Sequence, residues 1–319
     1  MIKKILKGFA LLIGIIIITP YLIPIEMQPL DSEFHLFEDS DVRTILGTDI
    51  HFRVQKPEGD KKGNILFVHG FSGSTFNWRY QTEYFAERGY LTVAVDLPGF
   101  GFSQKGTPFD HSNTNRSRIL KALYTQLAPG EKWTIVGHSM GGGTAIYGAA
   151  LDREHIERLV IVAGALGRIE HNSGIKLMQY IMRFPPIVRW GEAIGKHFFY
   201  NLDRFQGLTS SAYGREASEE EALGYLKPFK IKGSATSILQ MAAYSKPEAD
   251  INLETDIEVP TQIIWGNQDN WVPISFGKKL NEKMDHAYFY VIENAGHCPM
   301  ETHHEEFNRV LGDFLEKES

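Results

Sequence analysis

The sequence predicts an α/β fold: a mostly parallel sheet with helices on both faces, an inserted helical cap, and a transmembrane helix at the N-terminus. Three observations predict it. Short continuous apolar runs recur at residues 65–68, 91–95, 133–136, 159–162, 261–265 and 287–292, with longer helix-like segments between most of them. Strands that are apolar throughout, rather than alternating, belong to a sheet buried on both faces. The rhythm then breaks between 163 and 257, where no strand pattern occurs but helix-like stretches rich in aromatics do; that is too long for a simple connection. Lastly, residues 8–25 carry no charge.

Taken in order, Lys3, Lys4 and Lys7 precede the uncharged run. At roughly 1.5 Å per helical residue it spans most of a hydrocarbon layer of about 30 Å. The residues after it lack the small-x-small pattern of a signal-peptidase site, so residues 1–27 are expected to stay as a membrane anchor, with secretion after cleavage as the alternative. Lysines before the run, and Glu26, Asp31, Glu33, Glu38, Asp39 and Asp41 after it, predict a single pass at the cell membrane. The N-terminus would be cytoplasmic and the body outside. Partial alternation over 41–54 around Gly47 and Thr48 reads as an antiparallel hairpin. Helices are expected over 76–88, closed by Gly89, and over 113–127, with Ser112 or Asn113 as cap. The body is therefore expected to comprise a core, 41–165 and 247–319, and a cap, 166–246, with helical stretches at 176–184, 188–200 and 218–225.

Composition narrows the function. With 319 residues and an apolar fraction of 43%, the chain has ample material for a core, and its net charge of −6 lacks the basic stripe that a phosphate backbone requires. Nucleic acid is excluded as an expected partner. The single cysteine, Cys298, excludes a disulfide framework or a multi-thiolate metal site. His303 and His304 beside Glu305 and Glu306 read as a solvated helix start. No metal and no cofactor are expected, and composition sets no oligomeric state.

The chemistry lies in three loops. Directly after the run at 133–136 comes Gly137-His138-Ser139-Met140-Gly141, a serine on a tight strand-to-helix turn whose small neighbours permit a strained backbone. A serine hydroxyl alone is a weak nucleophile and needs a base held by a carboxylate. Asp269 follows the run ending at 265, and His297 follows the run ending at 292. Loops at the C-terminal ends of parallel strands converge on one crevice. Donors for a developing oxyanion are expected from the backbone N–H of Met140 and from the loop after 65–68, at Phe71. His138 flanks the nucleophile and is expected to shape the crevice or support the turn.

With those residues in hand, the chain from about 41 to 315 resembles the α/β-hydrolase family. The resemblance rests on His69-Gly70-Phe71, the stretch from Asp96 to Ser103, the Ser139 pentapeptide, Trp265 to Asp269, and Gly296-His297. It implies Ser139 as nucleophile, His297 as base, Asp269 as orienting acid, and Phe71 with Met140 as oxyanion donors. A serine at the turn separates the chain from relatives such as haloalkane dehalogenases and epoxide hydrolases, which use an aspartate there. The expected reaction is hydrolysis of a carboxylic ester, small or lipid-like, through an acyl-enzyme. Carbon–carbon bond hydrolysis, peroxide-assisted acyl chemistry, peptide hydrolysis and a non-catalytic ligand-binding role are the alternatives. Met178, Tyr180, Met182, Phe184, Trp190, Phe198, Phe199 and Tyr200 are candidates for the roof of an acyl pocket, with His138 in its wall.

Overall fold

The chain opens with a long apolar helix that the body leaves largely uncovered. In the computed structural model, which describes residues 2–28, 37–164 and 173–317, α1 (Ile2–Leu22) is only 6% buried over its apolar window. Asp31, Glu33 and the expected cap boundary at 166 lie outside the described residues. Pro20 lacks an N–H and so frees the carbonyl of Ile16; Pro24 likewise leaves the carbonyl of Pro20 without its i+4 donor. Both carbonyls are taken by one distant segment. The indole of Trp190 donates to Ile16 at 2.8 Å and the Arg189 guanidinium to Pro20 at 3.2 Å. Arg189 also donates to the carbonyl of Ile23, and His197 Nε2 lies 3.1 Å from that of Pro24.

The expected hairpin forms as β1 (Ser40–Ile45) and β2 (Thr48–Gln55), turning through Leu46 and Gly47, both at positive φ. Then follow β3 (Gly63–Val68), a 3₁₀ turn (Thr75–Trp78), α2 (Thr82–Ala86), β4 (Tyr90–Val95), α3 (Asn113–Leu127), β5 (Trp133–His138), α4 (Met140–Leu151) and β6 (Ile156–Val162). The single helix expected over 76–88 is thus two short pieces. Ser74 caps the first piece separately, and Gln81 between them gives its amide to Met300 and Asn308 in a buried tertiary contact.

After β6 come α5 (Ser173–Met182), α6 (Pro185–Ile194), which runs into a π-turn (Gly195–Phe199), α7 (Leu202–Tyr213), α8 (Glu219–Phe229) and α9 (Ser234–Tyr244). Helix α7 was not expected, because Gly207, Thr209, Ser210 and Ser211 depress its intrinsic propensity. Its ends are nonetheless marked, by the Asn201 side chain accepting from Arg204 N–H and by Gly214 in the left-handed region. Phe205, Leu226 and Phe229 give these helices a small core of their own. The chain closes with α10 (Leu253–Asp256), β7 (Thr261–Gly266), α11 (Ile274–Asn281), β8 (Ala287–Ile292), α12 (Pro299–Thr302) and α13 (His304–Leu315).

The eight strands form one sheet in the order β1-β2-β4-β3-β5-β6-β7-β8, with every pair from β4 to β8 parallel. Alternate residues of β3 serve opposite faces. Leu66 and Val68 pack with Ile119, Leu123 and Ile146 from α3 and α4; Ile65 and Phe67 pack with Trp78, Phe85, Phe307 and Phe314. Burial on both faces explains the unbroken apolar runs. It also leaves the C-terminal strand edge as the place where polar side chains collect.

Candidate active site

Ser139 sits between β5 and α4 at φ 50° and ψ −115°, a conformation strained for any residue with a Cβ. The residues two positions to either side must be glycine. A Cβ at Gly137 would overlap the Gly141 carbonyl, and one at Gly141 would overlap the carbonyls of Val68 and His69. The turn is held by Ser139 N–H donating to Val162 at 2.9 Å and Gly142 N–H to Ser139 at 3.0 Å.

The Asp269 and His297 loops are laced together at the neighbouring strand ends. Gln268 N–H donates to the Ala295 carbonyl at 2.9 Å and Asn294 N–H to the Asn267 side chain at 2.8 Å. One Asp269 oxygen accepts from the N–H groups of Trp271 and Val272, at 2.8 and 2.9 Å; the other lies 2.8 Å from His297 Nδ1. With a carboxylate at Nδ1, the imidazole carries its proton there and keeps the Nε2 lone pair free to accept another. Both side chains are buried, and the Trp271 ring stacks on His297 at 5.6 Å.

The loop after β3 passes directly over the serine. A Cβ on Gly70 would stand 2.9 Å from His138 Nδ1 and 3.0 Å from Ser139 Cβ. His69 fixes this loop: its Nδ1 donates to the Gly70 carbonyl at 2.6 Å and its Nε2 accepts from Leu97 N–H at 2.9 Å. Burial pushes the His69 pKa down to about 4, so the ring stays neutral and can both donate and accept. Phe71 N–H has no hydrogen-bond partner among the described residues, and Met140 N–H opens α4, where an amide has no partner within its own helix. Two free donors thus flank Ser139.

The stretch from Asp96 to Ser103 supports the same loop from beneath. Asp96 accepts from Thr75 N–H at 2.6 Å and Phe102 N–H at 2.8 Å and lies 2.7 Å from His51 Nδ1. Burial opposes its charge, but the charge and hydrogen bond of His51 outweigh this and hold the carboxyl below its ordinary pKa. Gly101, at φ 50°, is the position where any Cβ would overlap the Asp96 carboxylate.

Ser139 and His297 open into one cavity of about 560 Å³. Its wall includes Phe71, Ile194, Phe199, Tyr200, Phe205, Leu208, Phe229, Ile238 and Leu239, and contains no Lys, Arg, Asp or Glu among the described residues. Of the residues named from sequence as pocket candidates, His138, Phe199 and Tyr200 line it. Phe184, Trp190 and Phe198 do not: Trp190 turns to α1, and Phe184 and Phe198 face outward. Met178, Tyr180 and Met182 are likewise outside the wall. His138 lies between the serine turn and the base loop, its Nε2 2.9 Å from the His297 carbonyl and its ring 4.7 Å from that of His297. Burial, then the charge of His297, holds the His138 pKa well below its ordinary value. His303 pairs with Thr302 and His304 stacks on Tyr80, so the two adjacent histidines serve different partners.

Sequence reasoning missed a buried anchor beside the base. Glu301 accepts from Arg79, Asn77, Tyr213 and Tyr225, joining α7 and α8 to the core one turn beyond His297. Glutamate in a short helix carries no signal of such a role, because its partners lie 76 to 224 positions away. Cys298, the residue after the base, is buried against the cavity wall, and burial raises its thiol pKa well above the ordinary value.

A strained serine, a carboxylate-bound imidazole and paired free amides at the C-terminal edge of a parallel sheet define a class before any comparison. The chain belongs to the alpha/beta hydrolase fold family, whose sequence profile matches residues 63–304. It is a hydrolase of that fold. It is 26% identical over 265 residues to a 2-hydroxy-6-oxononadienedioate/2-hydroxy-6-oxononatrienedioate hydrolase of Paraburkholderia phymatum, covering 81% of this chain and 88% of that one. Among solved structures it is similar to the meta-cleavage product hydrolase CumD of Pseudomonas fluorescens IP01, with TM-score 0.67, 21% identity, and coverage of 86% and 97%. It is also similar to a bacterial membrane phospholipase A, with TM-score 0.67, 21% identity and coverage of 98% of both chains.

Proposed function

We propose that the chain is a membrane-anchored serine hydrolase that cleaves a carboxylic ester of a long or bulky apolar acyl group. The observation that carries this reading is the shared cavity: Ser139 and an Asp269-bound His297 face a space whose wall is apolar and uncharged. Ser139 Oγ attacks the ester carbonyl while His297 Nε2 takes its proton, and Asp269 stabilises the imidazolium. The carbonyl oxygen becomes an oxyanion held by the N–H groups of Phe71 and Met140. His297 returns the proton to the departing alkoxide, leaving an acyl-serine and a free alcohol. Water then attacks the acyl-serine with His297 again as base, releasing the acid and restoring Ser139.

Similarity to the dienedioate hydrolases favours a second reading, carbon–carbon bond hydrolysis. The cavity weighs against it. A dicarboxylate substrate brings two negative charges, and burying a carboxylate with no cationic partner is costly. Two points support the anchor. Coverage of the membrane phospholipase A extends over nearly the whole chain. Removal of α1 would also leave the Trp190 indole and the Arg189 guanidinium without the carbonyls they now hold.

A fluorophosphonate probe on the full chain should label it, and Ser139→Ala should abolish labelling. Esters of graded acyl length, run beside a dicarboxylate dienol substrate, then separate the two readings. Faster turnover of the dicarboxylate would overturn the ester assignment, and no labelling of the native chain would favour a binding role.

A further inference from the structure

We propose that the face built by α5, α6 and the π-turn is a membrane-docking surface that rests in the headgroup layer of an anionic leaflet beside α1, with the cavity opening toward that leaflet. The inference rests on the reading of α1 as a membrane anchor and of the substrate as a lipid-like ester.

Depth is the first argument. Trp190 reaches the carbonyl of Ile16, six residues before the end of α1, which along a helix is about 9 Å. The apolar run continues to Ile25. If α1 crosses a bilayer, α6 therefore lies alongside the outer part of the span and not above it. Arg189, bonded to Pro20 and Ile23, then sits near the level where the run ends, which suits a guanidinium among phosphates.

Polarity is the second argument. Helix α5 is inverted relative to a helix facing water. Its buried side chain is Gln179, bonded to the Ser245 carbonyl, whereas Leu177 and Tyr180 are 61% and 76% exposed. On the π-turn Phe198 is 66% exposed. Apolar side chains gathered on one exposed face mark an interaction surface. Here the face is continuous with α1, itself apolar and uncovered.

Charge is the third. Between 173 and 199 there are four basic residues and one acidic one, Glu192, in a chain whose net charge is −6. Basic residues interleaved with aromatics on an amphipathic surface suit an anionic lipid face. The cavity meets this side, because Ile194 and Phe199 both line its wall and are exposed. An acyl chain could pass from leaflet to Ser139 without crossing water.

The test uses the full chain reconstituted into vesicles of phosphatidylcholine and phosphatidylglycerol, in a Cys298→Ser background. An environment-sensitive fluorophore is placed at Tyr180→Cys or Phe198→Cys, and at Glu131→Cys on the opposite sheet edge. The first two labels should shift to the blue and be quenched by lipids carrying a spin label on the acyl chain, while the label at 131 should do neither. Water-like emission at all three sites would overturn the proposal. So would energy transfer between differently labelled chains without lipid quenching, which would assign the face to a second copy of the chain. Independently, Leu177→Ser with Tyr180→Ser and Phe198→Ser should slow hydrolysis of vesicle phospholipid about ten-fold or more, with a soluble short-chain ester unaffected. An equal loss on both substrates would reduce the face to a structural role and sink the proposal. Label depth is read without turnover, so failure of the ester assignment leaves the docking result standing.

Discussion

The backbone N–H of His297 donates to the carbonyl of Ala212 at 2.7 Å, so the base loop hangs from helix α7. The next residues of α7 and the adjoining loops extend this link. Ser211 accepts from the Trp271 indole at 3.1 Å, and Tyr213 donates to Glu301 at 2.7 Å. The helices over the sheet are therefore part of the framework that holds the acid and base loops, as well as a roof.

Glu301 is the point where that framework is most vulnerable. Its carboxylate is fully buried against Arg79, which is itself mostly buried. Glu301→Ala would leave a guanidinium without its counter-charge, at a cost of about 3–5 kcal/mol. Urea unfolding should show that loss, and Tyr213→Phe, which removes one donor from the charged carboxylate, should cost about 1.5–3 kcal/mol.

Asp269→Asn tests the imidazole's proton position. An asparagine would keep the shape of the loop but could present its amide N–H to Nδ1, which moves the ring proton to Nε2 and removes the base. On a soluble ester kcat should fall by about 10⁴, as for the equivalent change in other triads, with little change in thermal midpoint. A loss under ten-fold would mean that His297 is not oriented by Asp269.

The sheet was legible because each strand is buried on both faces, so Ile65 to Val68 and Trp133 to Val136 read as unbroken apolar runs. Ser139 was legible because Gly137 and Gly141 are sterically required around it. Trp190 was misplaced for an equally physical reason. An aromatic at helical spacing looks the same whether it faces a pocket or reaches outward, and its true partner is a carbonyl freed by Pro20, 174 positions away. Two prolines four residues apart announce orphaned carbonyls but do not say which donor takes them. Helix α7 was hidden because its stability comes from packing of Phe205, Ala212 and Tyr213 rather than from propensity.

Acid should destabilise the fold well before the carboxylates of the surface are titrated. Burial lowers His69 to about 4 and His111 to about 3, from 6.5. As the folded values lie below the unfolded one, the unfolded chain takes up protons first when pH falls. Stability is thus complete above about 6.5 and declines below it, down to about 4 for the His69 contribution and about 3 for that of His111. His69 alone accounts for about 3 kcal/mol of that decline. Urea midpoints measured from pH 7 to pH 4 should fall accordingly, and His69→Gln should flatten the curve while lowering its plateau. A flat native curve would show that these rings are not held neutral.

Gly70→Ala separates the oxyanion loop from the rest of the site. The added methyl would press on His138 Nδ1 and Ser139 Cβ, at 2.9 and 3.0 Å, and the loop carrying Phe71 N–H is the part able to yield. His138 is held at its far side by the His297 carbonyl, and Ser139 by Val162. Moving one donor away from the developing oxyanion costs about 10²–10³ in kcat. KM should change little, because the acyl group binds in the apolar wall beyond the donors. Labelling by a fluorophosphonate should slow in parallel, since phosphonylation develops charge on an oxygen at the same place. Full activity in Gly70→Ala would remove Phe71 from the reaction and leave the oxyanion to the Met140 N–H.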